Sequence, residues 1–229
     1  MSPTIMGYEL ANATGQTLYM VTASTLFAVL LGLPLGTVLF SSHALKPQPH
    51  LFRIISAMIN IARSIPFIIL LVALIPITRF LIGTSIGTHA AIVPLTLGAA
   101  PFFARLVDNA YRGLPTGLLE AGFAMGSSTW QMIRHILLPE ARPAIIQAIT
   151  VTAITLVNYS AMSGTVGGGG LGDLAIRHGY QRFDLSIMII TVMILVLIVQ
   201  AIQWIGDRSV DAVQPRQNLR KIATPSVGE

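Results

Sequence analysis

Residues 17–40 read TLYMVTASTLFAVLLGLPLGTVLF, and they lie in a stretch that contains no Lys, Arg, Asp or Glu between Glu9 and Lys46. A helix needs roughly 20 mainly apolar residues to cross about 30 Å of hydrocarbon. The stretch is too long, and too poor in early positive charge, to be a cleaved signal peptide. It therefore predicts a retained transmembrane helix.

The composition of the whole chain points in the same direction. Of its 229 residues, 53% are hydrophobic and 10% are charged, whereas soluble domains carry about 25% charged residues. Disorder is excluded because it requires low hydrophobicity and high charge. The chain contains no cysteine, which excludes disulfides, Cys-ligated metal sites and a thiol nucleophile.

Four further segments are long and apolar enough to cross a membrane, at about residues 61–78, 83–104, 144–162 and 185–206. The sequence therefore predicts an all-α integral membrane protein with five transmembrane helices. We expect residues 1–13 to form an N-terminal segment outside the cytoplasm and residues 14–213 to form the membrane domain. Residues 112–142 are expected to form a long loop within the membrane domain. Residues 214–229 are expected to form a tail after it.

The basic residues orient this bundle, because cytoplasmic loops carry an excess of Lys and Arg. With the N-terminus outside, 10 of the 14 basic residues lie in the cytoplasm, three lie outside and Arg63 lies in or near the membrane. The predicted topology is therefore N-out and C-in. Positive charge that flanks membrane spans indicates contact with lipid headgroups. A nucleic-acid partner would require a clustered basic stripe, which the sequence lacks.

The five predicted spans contain no Asp, Glu, Lys or His in their middles. This argues against a proton-coupled secondary transporter, which relays protons through such residues. Arg63 is the ionisable residue that remains. At the cytoplasmic end of the second span it would be an interfacial anchor whose side chain snorkels to the headgroups; a gating or partner contact stays open.

Polar side chains recur at intervals of three and four residues along the fourth predicted span. They are Thr152, Thr155, Tyr159 and Ser163, with Asn158 and Ser160 close by. Such a stripe either holds helices together or lines a path across the membrane. Met162 ends it with a flexible thioether that suits an adaptable constriction. The glycine-rich residues 163–172 follow a membrane helix rather than a strand, so we interpret them as a turn and not as a phosphate site.

The loop of residues 112–142 predicts two short helices. Thr116 is a candidate cap for a helix over residues 117–125, with Glu120 near its positive end, and Gly126 breaks that helix.

Ser128 and Gln131 have the spacing of a capping box for the second helix, which Pro139 would end. We expect Trp130, Ile133 and Leu137 to share one face of it. The pair is either an amphipathic hairpin on the membrane surface or a knob that docks into another protein.

The spacing within this loop resembles the EAA signature of binding-protein-dependent ABC importers, E-A-A-x₃-G-x₉-I-x-L-P. The residues at the fixed positions are Glu120, Ala121, Gly122, Gly126, Ile136, Leu138 and Pro139. Gly122 replaces the second Ala of the signature, and all other fixed positions agree. The resemblance implies the membrane permease of a type I importer, which is not itself an enzyme.

Residues 63–71, 83–87, 91–96 and 159–162 also resemble the permeases of methionine importers, and the likeness covers most of residues 14–213. It implies a homodimer in the bacterial inner membrane, with two ATPase subunits on one side and a methionine-binding lipoprotein on the other. ATP and magnesium would then bind to the ATPase and no cofactor to this chain. It further implies that the EAA loop couples to the ATPase and that the path lies between the two copies, gated near Met162.

Two alternatives remain at this stage. The EAA loop alone does not exclude another amino acid or small solute as the cargo. An integral membrane enzyme would require clustered metal ligands or a GxSxG motif, and the five histidines are scattered singly.

Overall fold

The computed structural model describes residues 3–213, so the predicted tail at 214–229 lies outside the described residues. Within that range the chain is helical and contains no strand. The α-helices are α1 (Pro3–Ala44), α2 (Pro49–Ser64), α3 (Phe67–Ala73), α4 (Ile75–Ile82), α5 (Thr88–Arg112), α6 (Thr116–Ala124), α7 (Thr129–Gln131), α8 (Leu138–Glu140), α9 (Arg142–Ser163), α10 (Gly170–Leu174) and α11 (Leu185–Val213). Two π-helical turns, Met132–Leu137 and Ala175–Tyr180, and a 3-10 turn, Gly164–Val166, complete the order.

Four of the described helices, α1, α5, α9 and α11, are long and apolar enough to cross a membrane. The pair α2 and α3 provides a fifth crossing if it is counted as one span, although it bends by 101°. The predicted all-α membrane fold is therefore confirmed. Below, the outer end of the bundle is the end that the basic residues assign to the exterior, and the inner end is the opposite one.

The second span differs from the expectation of a single helix at 61–78. The chain is broken after Ser64, where Ile65 is extended with φ −83° and ψ 124°. Pro66 explains this break, because a proline disfavours the helical conformation of the residue before it. Pro76 stands in the first turn of α4, where a missing N–H is tolerated.

The ends of two other helices also differ from prediction. Residues 3–13 belong to α1, so the expected N-terminal segment is the first part of a long helix and is not separate from it. The third span starts at Thr88 and not at Gly83, because Gly83 and Gly87 adopt positive φ angles in a turn. It then continues to Arg112, which makes the start of the expected loop helical.

The close packing of α1 on α5 depends on the glycine pair in the opening stretch. A Cβ at Gly32 would lie 2.7 Å from the Ala100 carbonyl oxygen. A Cβ at Gly36 would lie 2.8 Å from Val107 Cβ and would overlap the backbone of Ala104. Gly32 and Gly36 thus form a GxxxG packing surface, since only the absence of a side chain allows this approach.

The glycine-rich turn closes the outer end of the bundle. Gly167, Gly169 and Gly170 all have positive φ angles, which side chains disfavour. The Gly170 N–H donates to Gln16 Oε1 at 2.8 Å, and the Leu171 N–H donates to Thr17 Oγ1 at 2.9 Å. The predicted turn is present, and its backbone is tied to the side chains of α1.

Candidate functional site

The loop at the inner end begins with α6, which ends in a Schellman motif around Gly126. Gly126 has a φ of 72°, the left-handed conformation typical of the residue after a helix. Its N–H donates to the Phe123 carbonyl at 2.9 Å, and the Ser127 N–H donates to the Gly122 carbonyl at 3.1 Å. The predicted break at Gly126 is confirmed, and it is a defined turn. Thr116 is the first residue of α6 rather than its cap, because Pro115 occupies the cap position.

The second half of the loop starts with the predicted capping box. The Ser128 N–H donates to Gln131 Oε1 at 2.8 Å, and the Gln131 N–H donates to Ser128 Oγ at 3.3 Å. The helix then becomes π-helical from Met132 to Leu137. Pro139 does not end it, since Pro139 lies in the first turn of α8, which directly follows the π-turn.

The π-turn changes which side chains face the bundle. Its bonds join residues five apart, and the buried pair is Met132 and Leu137. Trp130 is 65% exposed, so the prediction that it shares a face with Ile133 and Leu137 is wrong. The prediction assumed an α-helical period, and the sequence signals no π-turn.

A buried side of the loop anchors it to the bundle. Met132 and Leu137 pack in one core with Phe103, Val107 and Tyr111 of α5. Gly122 is where α6 crosses the π-turn: a Cβ there would overlap Met132 Sδ and lie 2.9 Å from Ile136 Cδ1. The departure from the EAA signature at Gly122 therefore has a steric reason in this chain.

The opposite side of the loop presents apolar side chains and one carboxylate away from the bundle. Glu120 and Ala121 are exposed, and the exposed fractions are 49% for Phe123, 76% for Met125 and 65% for Trp130. We call these five residues the loop face. Phe123 and Met125 were missed by the sequence analysis, although apolar residues beside a helix break signal such a surface. Ile136, Leu138 and Pro139 of the signature are half-buried at its base.

A buried ionic cluster above the loop was also missed. Asp108 is fully buried, and its Oδ2 accepts from Arg105 Nη1 at 3.2 Å and from Arg112 Nε at 3.0 Å. Arg105 also donates to Ser56 Oγ at 3.1 Å and to Asn60 Oδ1 at 2.8 Å, which ties α5 to α2. Arg105 and Asp108 lie beyond the predicted end of the third span at about residue 104, whereas α5 continues to Arg112.

The structure divides the polar stripe of α9 between two faces. Thr152, Ser160 and Ser163 are buried inside the protomer. Their hydroxyls donate to carbonyls of α9 itself, those of Ala148, Val157 and Ser160, each at 2.7 Å. These three hydroxyls are therefore satisfied within their own helix and neither bridge to another helix nor face the outside.

The other face of α9 is uncovered in the single chain. Asn158 is exposed, Met162 is 45% exposed and Thr155 is half-buried, with its hydroxyl donating to the Val151 carbonyl at 2.8 Å. Tyr159 stands at the edge of this face and stacks on Phe67 of α3, with ring centroids 4.2 Å apart and an angle of 2°. Thr155, Asn158, Tyr159 and Met162 form what we call the α9 face.

Arg63 does not lie where the sequence analysis expected it. It is in the last turn of α2, about 21 Å along the helix from Pro49, and not near the inner end. Its guanidinium carbon lies 5.8 Å from the ring centroid of Phe102 on α5. No group of three or more His, Asp and Glu within the described part of the chain is arranged to hold a metal.

An apolar bundle with an anchored, partly exposed loop at its inner end defines a membrane subunit of the permease type. The chain matches the family described as "Binding-protein-dependent transport system inner membrane component" over residues 28–219, and it belongs to that family. The resemblance inferred from the EAA spacing is thereby confirmed.

Within this family, the chain is similar to permease proteins of methionine transport systems. The chain is 52% identical over 209 residues to the probable D-methionine transport system permease protein MetI of Vibrio cholerae, covering 90% of this chain and 93% of that protein. With the D-methionine transport system permease protein MetI of Escherichia coli K12 it is 52% identical over 161 residues, covering 69% and 74%.

A chain of the MetNI methionine ABC transporter in an inward-facing conformation superposes with a TM-score of 0.91 at 48% identity, covering 94% of this chain and all of that one. A chain of an amino acid ABC transporter, at 17% identity and a TM-score of 0.77, shares the fold.

Proposed function

We propose that this chain is the permease subunit of an ATP-driven importer that carries methionine across the bacterial inner membrane. Relatives at 52% identity named as D-methionine permeases support methionine as the cargo. The solved structure at 48% identity belongs to a methionine ABC transporter, which supports a partner ATPase that binds ATP and magnesium. The permease works as a homodimer and receives its cargo from a methionine-binding lipoprotein at the outer end.

The loop face transmits the ATPase motion. Phe123, Met125 and Trp130 supply apolar area and Glu120 supplies one charge, the combination that a protein interface uses. The buried side of the loop joins it rigidly to α5 through Met132 and Tyr111. A displacement imposed on the loop face therefore moves the helices, which is what alternation between inward- and outward-facing states requires.

The α9 face lines the path between the two copies. Asn158 and Met162 lack cover in the single chain and lie on the last turns of α9, toward the outer end. The side-chain amide of Asn158 and the flexible thioether of Met162 together provide a site that is hydrated in one conformational state of the transporter and closed in the other. Thr152, Ser160 and Ser163, which the sequence offered as candidates for the same path, have a structural role in α9.

One experiment tests the coupling role of the loop. The permease is expressed with its neighbouring ATPase and lipoprotein, purified as a complex and reconstituted into liposomes. Glu120→Lys is expected to abolish ATP-dependent methionine uptake while the permease remains in the membrane. Glu140→Lys is the matched control, because Glu140 is also exposed but stands at the base of the loop. Equal uptake by both variants, with normal ATPase association, would refute the coupling assignment.

Cargo identity is tested with the same liposomes. Uptake of labelled methionine is competed with other amino acids in excess. We expect methionine and its close derivatives to compete, and polar amino acids to have little effect. If excess histidine or glutamine blocks the uptake of the label and excess unlabelled methionine does not, the cargo is another amino acid.

A further inference from the structure

A cavity of about 250 Å³ opens where α2 bends into α3 against α5 and α9. Its lining includes Arg63 at the end of α2, Phe67 and Leu70 of α3, Gly98 and Phe102 of α5, and Tyr159 of α9. Pockets for drug-sized ligands measure about 300–1,000 Å³. The volume here suits a molecule of the size of an amino acid.

Arg63 carries the charge of this cavity. Within residues 3–213 Arg63 forms no ion pair. Arg105 lies less than one turn beyond Phe102 on α5, toward the inner end, and is held by Asp108, Ser56 and Asn60. A charge at membrane depth is expensive and normally has a partner. Arg63 instead contacts the cavity and the ring of Phe102, so its guanidinium is available to an anion that enters.

The remaining walls are apolar and aromatic. Phe67 and Tyr159 stack in parallel, and both line the cavity together with Phe102. Aromatic rings attract a thioether sulfur by about 0.3–1.5 kcal/mol. The guanidinium of Arg63 and the aromatic rings that line the cavity therefore match a ligand with a carboxylate joined to a short apolar tail.

We infer that this cavity is a transient binding site within each permease copy for an amino acid with an apolar side chain. The carboxylate of the amino acid pairs with Arg63 in the bidentate manner that guanidinium favours, and its tail lies against Phe67 and Phe102. Assigning methionine as the occupant rests on the function proposed above. The site also gives a reason for the bend at Pro66, which opens the cavity beside Arg63.

The absence of cysteine from the chain allows a direct test. In the purified permease–ATPase complex, without the lipoprotein, Ala62→Cys places a single thiol in the permease, at the cavity lining. The rate of its alkylation by N-ethylmaleimide is measured on the permease band. We expect L-methionine to slow alkylation several-fold and methioninol, in which an alcohol replaces the carboxylate, to leave the rate unchanged. Thr84→Cys, in the exposed outer turn, should show no protection by either compound.

Three further variants in the Ala62→Cys background test the charge of Arg63 separately from the volume of the cavity. Arg63→Gln removes the guanidinium, and protection by L-methionine should be lost; Arg63→Lys should restore only part of it because lysine lacks the planar fork. Gly98→Leu keeps Arg63 but fills the cavity, since a Cβ at Gly98 already lies 3.3 Å from Phe67 Cδ2 and Leu70 Cδ2. Protection should be lost here too. Recovery of each variant with the ATPase, at an unchanged melting temperature, shows that the fold is intact.

The outcomes distinguish this site from the proposed function. If the Ala62→Cys complex imports methionine but methionine gives no protection up to its solubility limit, the cavity is not a binding site and the function stands. Equal protection by methioninol would also overturn the role of Arg63. If the unmodified complex binds its ATPase but imports no methionine, the proposed cargo is wrong.

Discussion

Replacement of Gly126 by alanine tests the turn on which the loop face depends. Gly126 has a φ of 72°, a conformation that costs an L-residue roughly 1–2 kcal/mol. No heavy atom lies within 4 Å of the position that a Cβ would take. The substitution therefore adds no steric clash, and its whole effect is the backbone cost.

The magnitude follows from the hydrogen bonds of the turn. Opening the Schellman motif frees the Gly126 and Ser127 N–H groups from the Phe123 and Gly122 carbonyls. Because about 1.4 kcal/mol corresponds to a factor of ten, 1–2 kcal/mol raises the exchange rate of these two amides about 5- to 30-fold. Hydrogen exchange of the peptide that covers residues 122–128, measured in the intact complex, gives this rate.

Gly117→Ala is the matched control because it makes the same chemical change near the start of α6, the helix that Gly126 follows. Gly117 also has no heavy atom within 4 Å of its Cβ position, but its φ is not in the left-handed region. Alanine there should stabilise α6 by up to about 1 kcal/mol and slow exchange. Gly126→Asn should fall between the two, because asparagine visits the left-handed region. If the amides of residues 122–128 exchange at equal rates in the Gly126→Ala and Gly117→Ala variants, the conformational argument for the turn is refuted.

Three other predictions concern the bundle and its gate. Gly36→Val forces α1 away from α5 and should lower the free energy of unfolding by about 1–3 kcal/mol, which would appear as a lower melting temperature of the solubilised complex. Gly15→Val lies on the same helix with open space around it, so its melting temperature should stay close to that of the parent. Asp108→Ala leaves two guanidinium groups without their carboxylate and should lower the free energy of unfolding by about 2–3 kcal/mol. This figure is discounted because both arginines are partly exposed. A variant with both Asp108 and Arg105 replaced by apolar residues should melt higher than Asp108→Ala, and an equal or lower melting temperature would contradict this account. Met162→Ala should loosen the outer end of the path and raise basal ATP turnover, and an unchanged rate together with normal uptake would argue against a gate there.

Much of the fold was predictable from local patterns. Long apolar stretches predict membrane helices because the hydrocarbon core imposes a length, and the helices that contain residues 17–40, 144–162 and 185–206 are present. Gly126, Ser128 and Gln131 predicted their turn and cap, because each of these signals acts within one or two helical turns.

Residues whose roles depend on distant partners were not predictable in this way. Trp130 was expected to share a face with Ile133 and Leu137, but a π-turn makes Met132 and Leu137 the buried pair and leaves Trp130 exposed. The stripe of α9 looked continuous, yet packing buries Thr152, Ser160 and Ser163 and leaves Asn158 and Met162 uncovered. A helical period shows which residues share a face, and only the neighbouring helices decide which face is covered.

The sequence by itself determined that the chain is a membrane bundle with its basic residues toward the cytoplasm. The thickness of the hydrocarbon core fixes the length of an apolar span, and Lys and Arg are enriched in cytoplasmic loops, so both features can be read along the chain. The sequence also determined the resemblance to the EAA signature, since that resemblance depends on spacing alone. The tertiary structure decided the surroundings of Arg63. The bend at Pro66 carries α3 across to Tyr159, and α5 brings Phe102 under the guanidinium. A cavity with one charge forms there because four helices, from three separate parts of the sequence, meet at one place.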